Sequence, residues 1–154
     1  LKEILMNFYK FLKNEESDFK GRSLSDIWNY SDEEIEKPHD FIQLIFPLNK
    51  PSSSAFHGYY LDNEEQIEII KNDENIKNNI IRSAYWFLSF LKRNNHWKSG
   101  YNHNQLRITR IIECLKLLVS DIEAKKFYNE IMSLINDKNK INKVATKFWQ
   151  DALG

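Results

Sequence analysis

Little in this chain can break a helix or cross-link it. Its 154 residues include 4 Gly, 3 Pro and one cysteine, Cys114. A single thiol rules out an internal disulfide and a cysteine-rich zinc site. No apolar run nears the ~20 residues that a membrane-spanning helix needs. No signal-peptide pattern opens the chain. An excess of one charge is missing too, because 22 basic and 22 acidic side chains cancel. That balance argues against a general nucleic-acid or anionic-membrane surface, which would show a basic surplus. The expectation is a soluble, cytoplasmic protein with no membrane span. A start at Leu1 rather than Met suggests a piece of a longer protein.

What remains is helical. Hydrophobic residues make up 42% of the chain, enough for one domain with a core. Apolar residues recur with helical spacing, and no stretch alternates as a strand would. The pattern predicts an all-α, single-domain, compact bundle of about seven or eight helices without a sheet. Leu1, Ile4, Leu5, Phe8, Tyr9 and Leu12 form one stripe, so a first helix is predicted over 2–13. Residues 14–22 read as a polar loop. Ser25 is predicted to cap a short helix through Trp28. Ser31 and Glu34 make a capping box, Pro38 interrupts the helix that follows, and "HDFIQLIF" runs on to Phe46 before Pro47 stops it. Residues 48–61 form the longest irregular stretch, with Phe56, Tyr59 and Tyr60 available to pack. Further helices are predicted from Asp62 to about Asn72, from an Asp73 cap to about Arg93, and over about 104–119, 121–136 and 140–152.

The helix over 104–119 has an unusual polar line. On a helical wheel His103, Arg107, Arg110 and Cys114 align beside the arc of Ile108, Ile111, Ile112 and Leu115, with Leu106 and Leu117 on their other flank. Gln105, Thr109, Glu113, Lys116 and Ser120 are left as a wet face. An amphipathic helix normally turns its arginines to water. Two arginines pushed inward need partners, since an unpaired buried guanidinium costs several kcal/mol. Internal carboxylates are one choice, and Asp40, beside His39 and one turn before Gln43, could pair with Arg107 or Arg110. An outside anion is the other, because His103 and Asn104 stand at the helix start, where free amides attract negative charge. A structural ion-pair network carries the greater weight on general grounds.

Signals for covalent or metal chemistry are weak. There is no Gly-x-Ser-x-Gly, no Gly-rich phosphate loop, no His-x-x-x-His and no Cys-x-x-Cys. Cys114 lies roughly 16 Å along the helix from His103, too far for a nucleophile–base pair. His39, Asp40 and His103 could assemble a metal site only if their segments met, and hydrogen bonding is the commoner use of such groups. No metal and no cofactor is therefore assigned. Of the tryptophans, Trp86 is expected in the core, Trp28 and Trp149 at packed helix ends, and Trp97 in a loop, where it either tucks onto the body or serves a partner.

Two long stretches resemble a known family. "GRSLSDIWNYSDEEIEKPHDFIQLIFPLNKPS" is similar to the opening motif of the opioid growth factor receptor conserved domain, and "NHNQLRITRIIECLKLL" to its second motif. "FYNEIMSLIN" and "KFWQDAL" resemble its closing helices. The likeness spans roughly residues 20–152, with residues 1–19 as an N-terminal helix and linker. Leu44 stands where the family usually has Trp, and the segment after Pro51 departs from its usual turn. Asn, Lys and Ile abundance suggests a bacterial-type member. The resemblance implies a receptor-like binding or regulatory domain more than an enzyme. His39, Asp40, Gln43, His103, Asn104, Arg107 and Arg110 are the candidate ligand-binding residues, and a peptide or small anionic molecule is the candidate partner. An enzyme using His39 or His103 as acid–base, or a purely structural module, are the alternatives. Oligomeric state is not readable from the sequence.

Overall fold

The structure, a computed structural model, describes residues 6–52, 58–135 and 140–154. Among the described residues there are nine α-helices, one 3-10 turn and no strand, so the fold is all-α. None of these helices is long and apolar enough to cross a membrane. The chain divides into two compact units, residues 1–83 and 84–154.

The first unit is a set of short helices fixed by caps and side-chain ties. Helix α1 (Phe8–Leu12) starts where the Asn7 side chain accepts from the Lys10 amide, so it is shorter than the predicted 2–13. Residues 1–5 of that prediction lie outside the described residues. Asn14, at φ 64°, turns the chain out of α1. Its side-chain amide donates to Ser25 Oγ (2.7 Å) and its oxygen accepts from the Ser25 amide (3.2 Å). Ser25 is thus occupied, and Ser23 instead caps α2 (Leu24–Trp28), in a capping box with Asp26. The capping box of Ser31 and Glu34 begins α3 (Asp32–Glu36) as expected.

The predicted helix through 39–46 shrinks to a single turn, α4 (Ile42–Ile45). The cause is a competing donor. Arg22 Nη2 donates to the Asp40 carbonyl (3.1 Å), and the Leu44 and Ile45 amides both turn to the Phe41 carbonyl at 3.0 Å. Phe41, Leu44, Ile45 and Phe46 are fully buried there. Phe56 lies outside the described residues, whereas Tyr59 stacks on Phe19 with centroids 4.6 Å apart. Asn63, not Asp62, caps α5 (Glu64–Lys71).

Asp73 starts α6 (Glu74–Arg93) by accepting the Ile76 amide at 3.1 Å, and this bond holds its carboxyl below the usual carboxylate range. Tyr9 Oη donates to the same carboxylate (2.9 Å), and Asn79 donates to the carbonyl of Leu12 (2.9 Å), tying α1 to the start of α6. Ile76, Ile80, Ala84, Phe87, Leu88 and Leu91 are buried as the stripe predicts. Ile81 and Trp86 are half-buried, and Phe90 joins the core unannounced.

The second unit is built around α7 (His103–Leu118), which packs against both α8 (Asp121–Ser133) and α9 (Lys143–Leu153). Asn102, Ser120 and Asn142 cap these three helices through their side chains. Helix α8 stops at Ser133, and α9 begins three residues later than predicted because Asn142 takes the capping position. Before α7, a 3-10 turn (His96–Lys98) leads to Gly100, whose φ of 62° suits a residue without Cβ. Gly100 also makes an isolated parallel bridge to Ile141, just ahead of α9.

Candidate functional site

Helix α7 is enclosed on more sides than its sequence suggests. Ile108, Ile111, Ile112, Leu115 and Leu118 are buried, as the wheel predicts. Arg107 is turned inward and only 6% exposed. Its Nη1 donates to Asn104 Oδ1 (3.1 Å), itself fully buried one turn earlier. Arg110 is half-buried. Burial pulls its pKa below the usual arginine value, against the influence of Cys114 and Glu113. Cys114 is sealed in the core, and burial pushes its thiol up to about 12. A thiol held protonated is a poor nucleophile.

The predicted wet face of α7 is the largest correction. Gln105 is buried, and its side-chain amide donates to two carbonyls, Trp97 at 2.9 Å and Gly100 at 3.0 Å. The Gln105 carbonyl in turn accepts from Trp149 Nε1 of α9 at 3.0 Å. Thr109 is half-buried, and Lys116 donates to the Leu153 carbonyl at 2.7 Å. This face is therefore the seat of α9. Trp97 follows the tucked reading: it is 0% exposed, and its indole donates to the carbonyls of Leu91 (2.9 Å) and Asn94 (2.8 Å). Trp149 is likewise fully buried.

Closing α9 onto α7 leaves a concave groove of about 390 Å³ at the start of α7. Tyr101, His103, Leu106 and Thr109 line one side, and Val144, Ala145 and Phe148 of α9 line the other. Its rim is unusually apolar for a surface. Tyr101 is 87% exposed, Leu106 67%, Val144 53% and Phe148 49%. Leu106 is expected as an apolar flank of the polar line, and the structure leaves it facing out. Exposed leucines are common singly, but four large apolar side chains around one concavity are not. Among the described residues no Asp or Glu lines the groove, and His103 is its titratable nitrogen group. Gln105 joins the groove's parts through the hydrogen bonds given above, so the cleft is preformed.

Of the seven candidate residues, His103, Asn104, Arg107 and Arg110 belong to the second unit and His39, Asp40 and Gln43 to the first. Within the second, Asn104 and Arg107 are brought together by their hydrogen bond, and His103 faces the groove. In the first, His39 is exposed and Gln43 is buried, with its amide donating to the His39 carbonyl at 2.7 Å. Asp40 has cationic company close by. Its carboxylate meets Arg22 Nη1 at 2.8 Å and also Lys20. Arg22 Nε then bonds Asp18 at 2.8 Å, and Asp18 accepts the Lys20 and Arg22 amides as well. Burial opposes charge on Asp40 and on Arg22, but the bonds of Asp40 to Lys20 and Arg22, and of Arg22 to Asp40 and Asp18, prevail. Asp40 is held below the usual carboxylate range and Arg22 above the usual arginine value. The sequence hides this network, because 14–22 reads as a plain polar loop.

A second concavity, in the first unit, is lined by Tyr9, Asp62, Asn63, Glu65, Gln66 and Ile69. Among the described residues no group of three or more His, Cys, Asp or Glu converges in a way that could hold a metal ion. No protein family, curated protein or solved structure matches the chain.

Proposed function

We propose that the chain is a binding module, and that the α7–α9 groove takes a peptide through its apolar side chains, with an anionic group of that peptide beside His103. The observation that carries this reading is the ring of exposed Tyr101, Leu106, Val144 and Phe148 around one preformed cleft. Ligand sites are typically concave and mostly apolar, with a few polar groups that orient the ligand. His103, in the first turn of α7, is such a group. Asn104 and Arg107 are buried and act in this reading as its internal support, while Arg110 lends positive charge about two turns further along the helix.

His39, Asp40 and Gln43 are assigned the structural role, because Asp40 is already engaged by Lys20 and Arg22 and Gln43 by a backbone carbonyl. The likeness to the opioid growth factor receptor conserved domain supports a receptor-like role over a catalytic one. A cytoplasmic setting is part of the same proposal and draws on the single free cysteine, which fits a reducing compartment.

The test is a heteronuclear NMR titration with short peptides that carry leucine or phenylalanine next to a carboxylate. Resonances of Tyr101, Leu106, Val144 and Phe148 should shift together, and Phe148→Glu should abolish the shifts while the rest of the spectrum stays dispersed. Peptides that leave those four residues unmoved would refute the groove as a binding site.

A further inference from the structure

The chain as a whole is neutral, but its charge is not evenly spread. The groove is lined by residues within 101–109 and 142–148, and these lie inside two slightly longer stretches, residues 98–110 and 140–149. The first carries Lys98, Arg107 and Arg110, the second Lys140, Lys143 and Lys147, and neither contains an aspartate or glutamate. Arg107 is buried, while Lys140, Lys143 and Lys147 are exposed and Lys98 and Arg110 half-exposed. Past the second stretch, Asp151 pairs with Lys147 at 3.5 Å, and Glu113 lies one turn beyond Arg110 on α7. The stretches that supply the apolar cleft thus carry cations and no carboxylate, while all 22 acidic groups of the protein lie outside them in sequence.

From this segregation we infer that the occupant of the groove is an acidic, amphipathic segment of a partner protein, whose apolar side chains enter the cleft and whose flanking carboxylates meet the exposed lysines of α9. The inference rests on the groove reading above and adds the partner's charge to it. The physical reason is complementarity. Positive rims steer and select negatively charged partners, and like charges on a wrong partner are repelled. The apolar interior supplies the anchoring, as in other modes where an amphipathic segment lies in a hydrophobic cleft. A nucleic acid would also be drawn to the lysines. Against it, the concave surface sets aliphatic Leu106, Val144 and Ala145 beside its aromatics Tyr101 and Phe148, and the protein as a whole has no basic excess.

The experiment uses the full chain and three synthetic peptides that share one apolar register and differ only in their polar positions: all Glu, all Gln or all Lys. Affinities are read by calorimetry, and sites by NMR. The Glu peptide should bind at the groove roughly tenfold more tightly than the Gln peptide and lose most of that margin at ~0.5 M salt. The double variant Lys143→Glu/Lys147→Glu should erase the preference, and Leu106→Glu should remove binding altogether. Equal affinities for Glu and Gln peptides at the groove would overturn the inference and leave the groove reading intact. A preference for the Lys peptide would overturn it as well. If no peptide moves groove resonances, both fail together. A single-stranded oligonucleotide that occupies the groove more tightly than the Glu peptide would replace the acidic segment as the occupant. Self-association that Leu106→Glu abolishes would assign the cleft to a second copy of the chain.

Discussion

Arg22 and Gln105 do similar work in different units, each tying separated stretches of chain through one side chain. Arg22 does it with charge, binding Asp18 and Asp40 from a loop that is partly open to solvent. Gln105 does it with a neutral amide, binding the carbonyls of Trp97 and Gly100 inside the protein while its own carbonyl receives Trp149. The two hubs therefore answer differently to their surroundings. A charged hub depends on pH and salt, and leaves buried charge behind when it is removed. An amide hub is indifferent to both, and leaves only unsatisfied carbonyls.

Methionine placed at each position in turn would separate the two most clearly. Arg22→Met should cost about 3–5 kcal/mol in denaturant unfolding, because the Asp18 side chain is wholly withdrawn from solvent and loses its cation. Gln105→Met should cost about 2 kcal/mol, for two stranded backbone acceptors, and the loss should be the same at pH 4 and pH 8. It should also loosen Tyr101, visible as faster amide exchange from Trp97 to Tyr101.

A pH series addresses the charged hub alone. Asp40 has a folded pKa below its unfolded one, so its contribution is present above about pH 4 and fades as pH falls through the folded value. Asp40→Asn should therefore be less stable than the native chain at pH 7 and converge with it toward pH 2. The smallest effect belongs to an exposed pair. Lys37→Ala, which breaks the contact with Glu33 at 2.7 Å on the surface of α3, should change stability by about 0.5 kcal/mol or less.

What can be read in the sequence follows the same division between local and distant causes. The capping box at Ser31, the Asp73 cap and the inward turn of Arg107 depend on neighbours within a few residues, and periodicity reveals them. Ser25 resembles a cap in sequence, but its hydroxyl is claimed by Asn14. The pattern over 39–46 promises a longer helix than forms, because Arg22 captures the Asp40 carbonyl. Gln105 looks wet for the same reason: the element that covers it, α9, begins at Lys143. The groove has no motif at all, since its walls come from two stretches far apart in the chain. Its apolar rim resembles ordinary surface leucine and valine until the two are joined. One signal is present in the sequence: the two runs of chain with cations and no carboxylates.

The enclosure of Cys114 has a practical side. A native thiol that stays protonated and walled off will not compete for maleimide reagents, so the folded chain behaves as though it had no cysteine. Tyr101→Cys, at the most exposed aromatic on the rim, could then carry a fluorophore or spin label without any other change. The cleft can thus be watched by a reporter at its edge while the interior keeps its natural side chains.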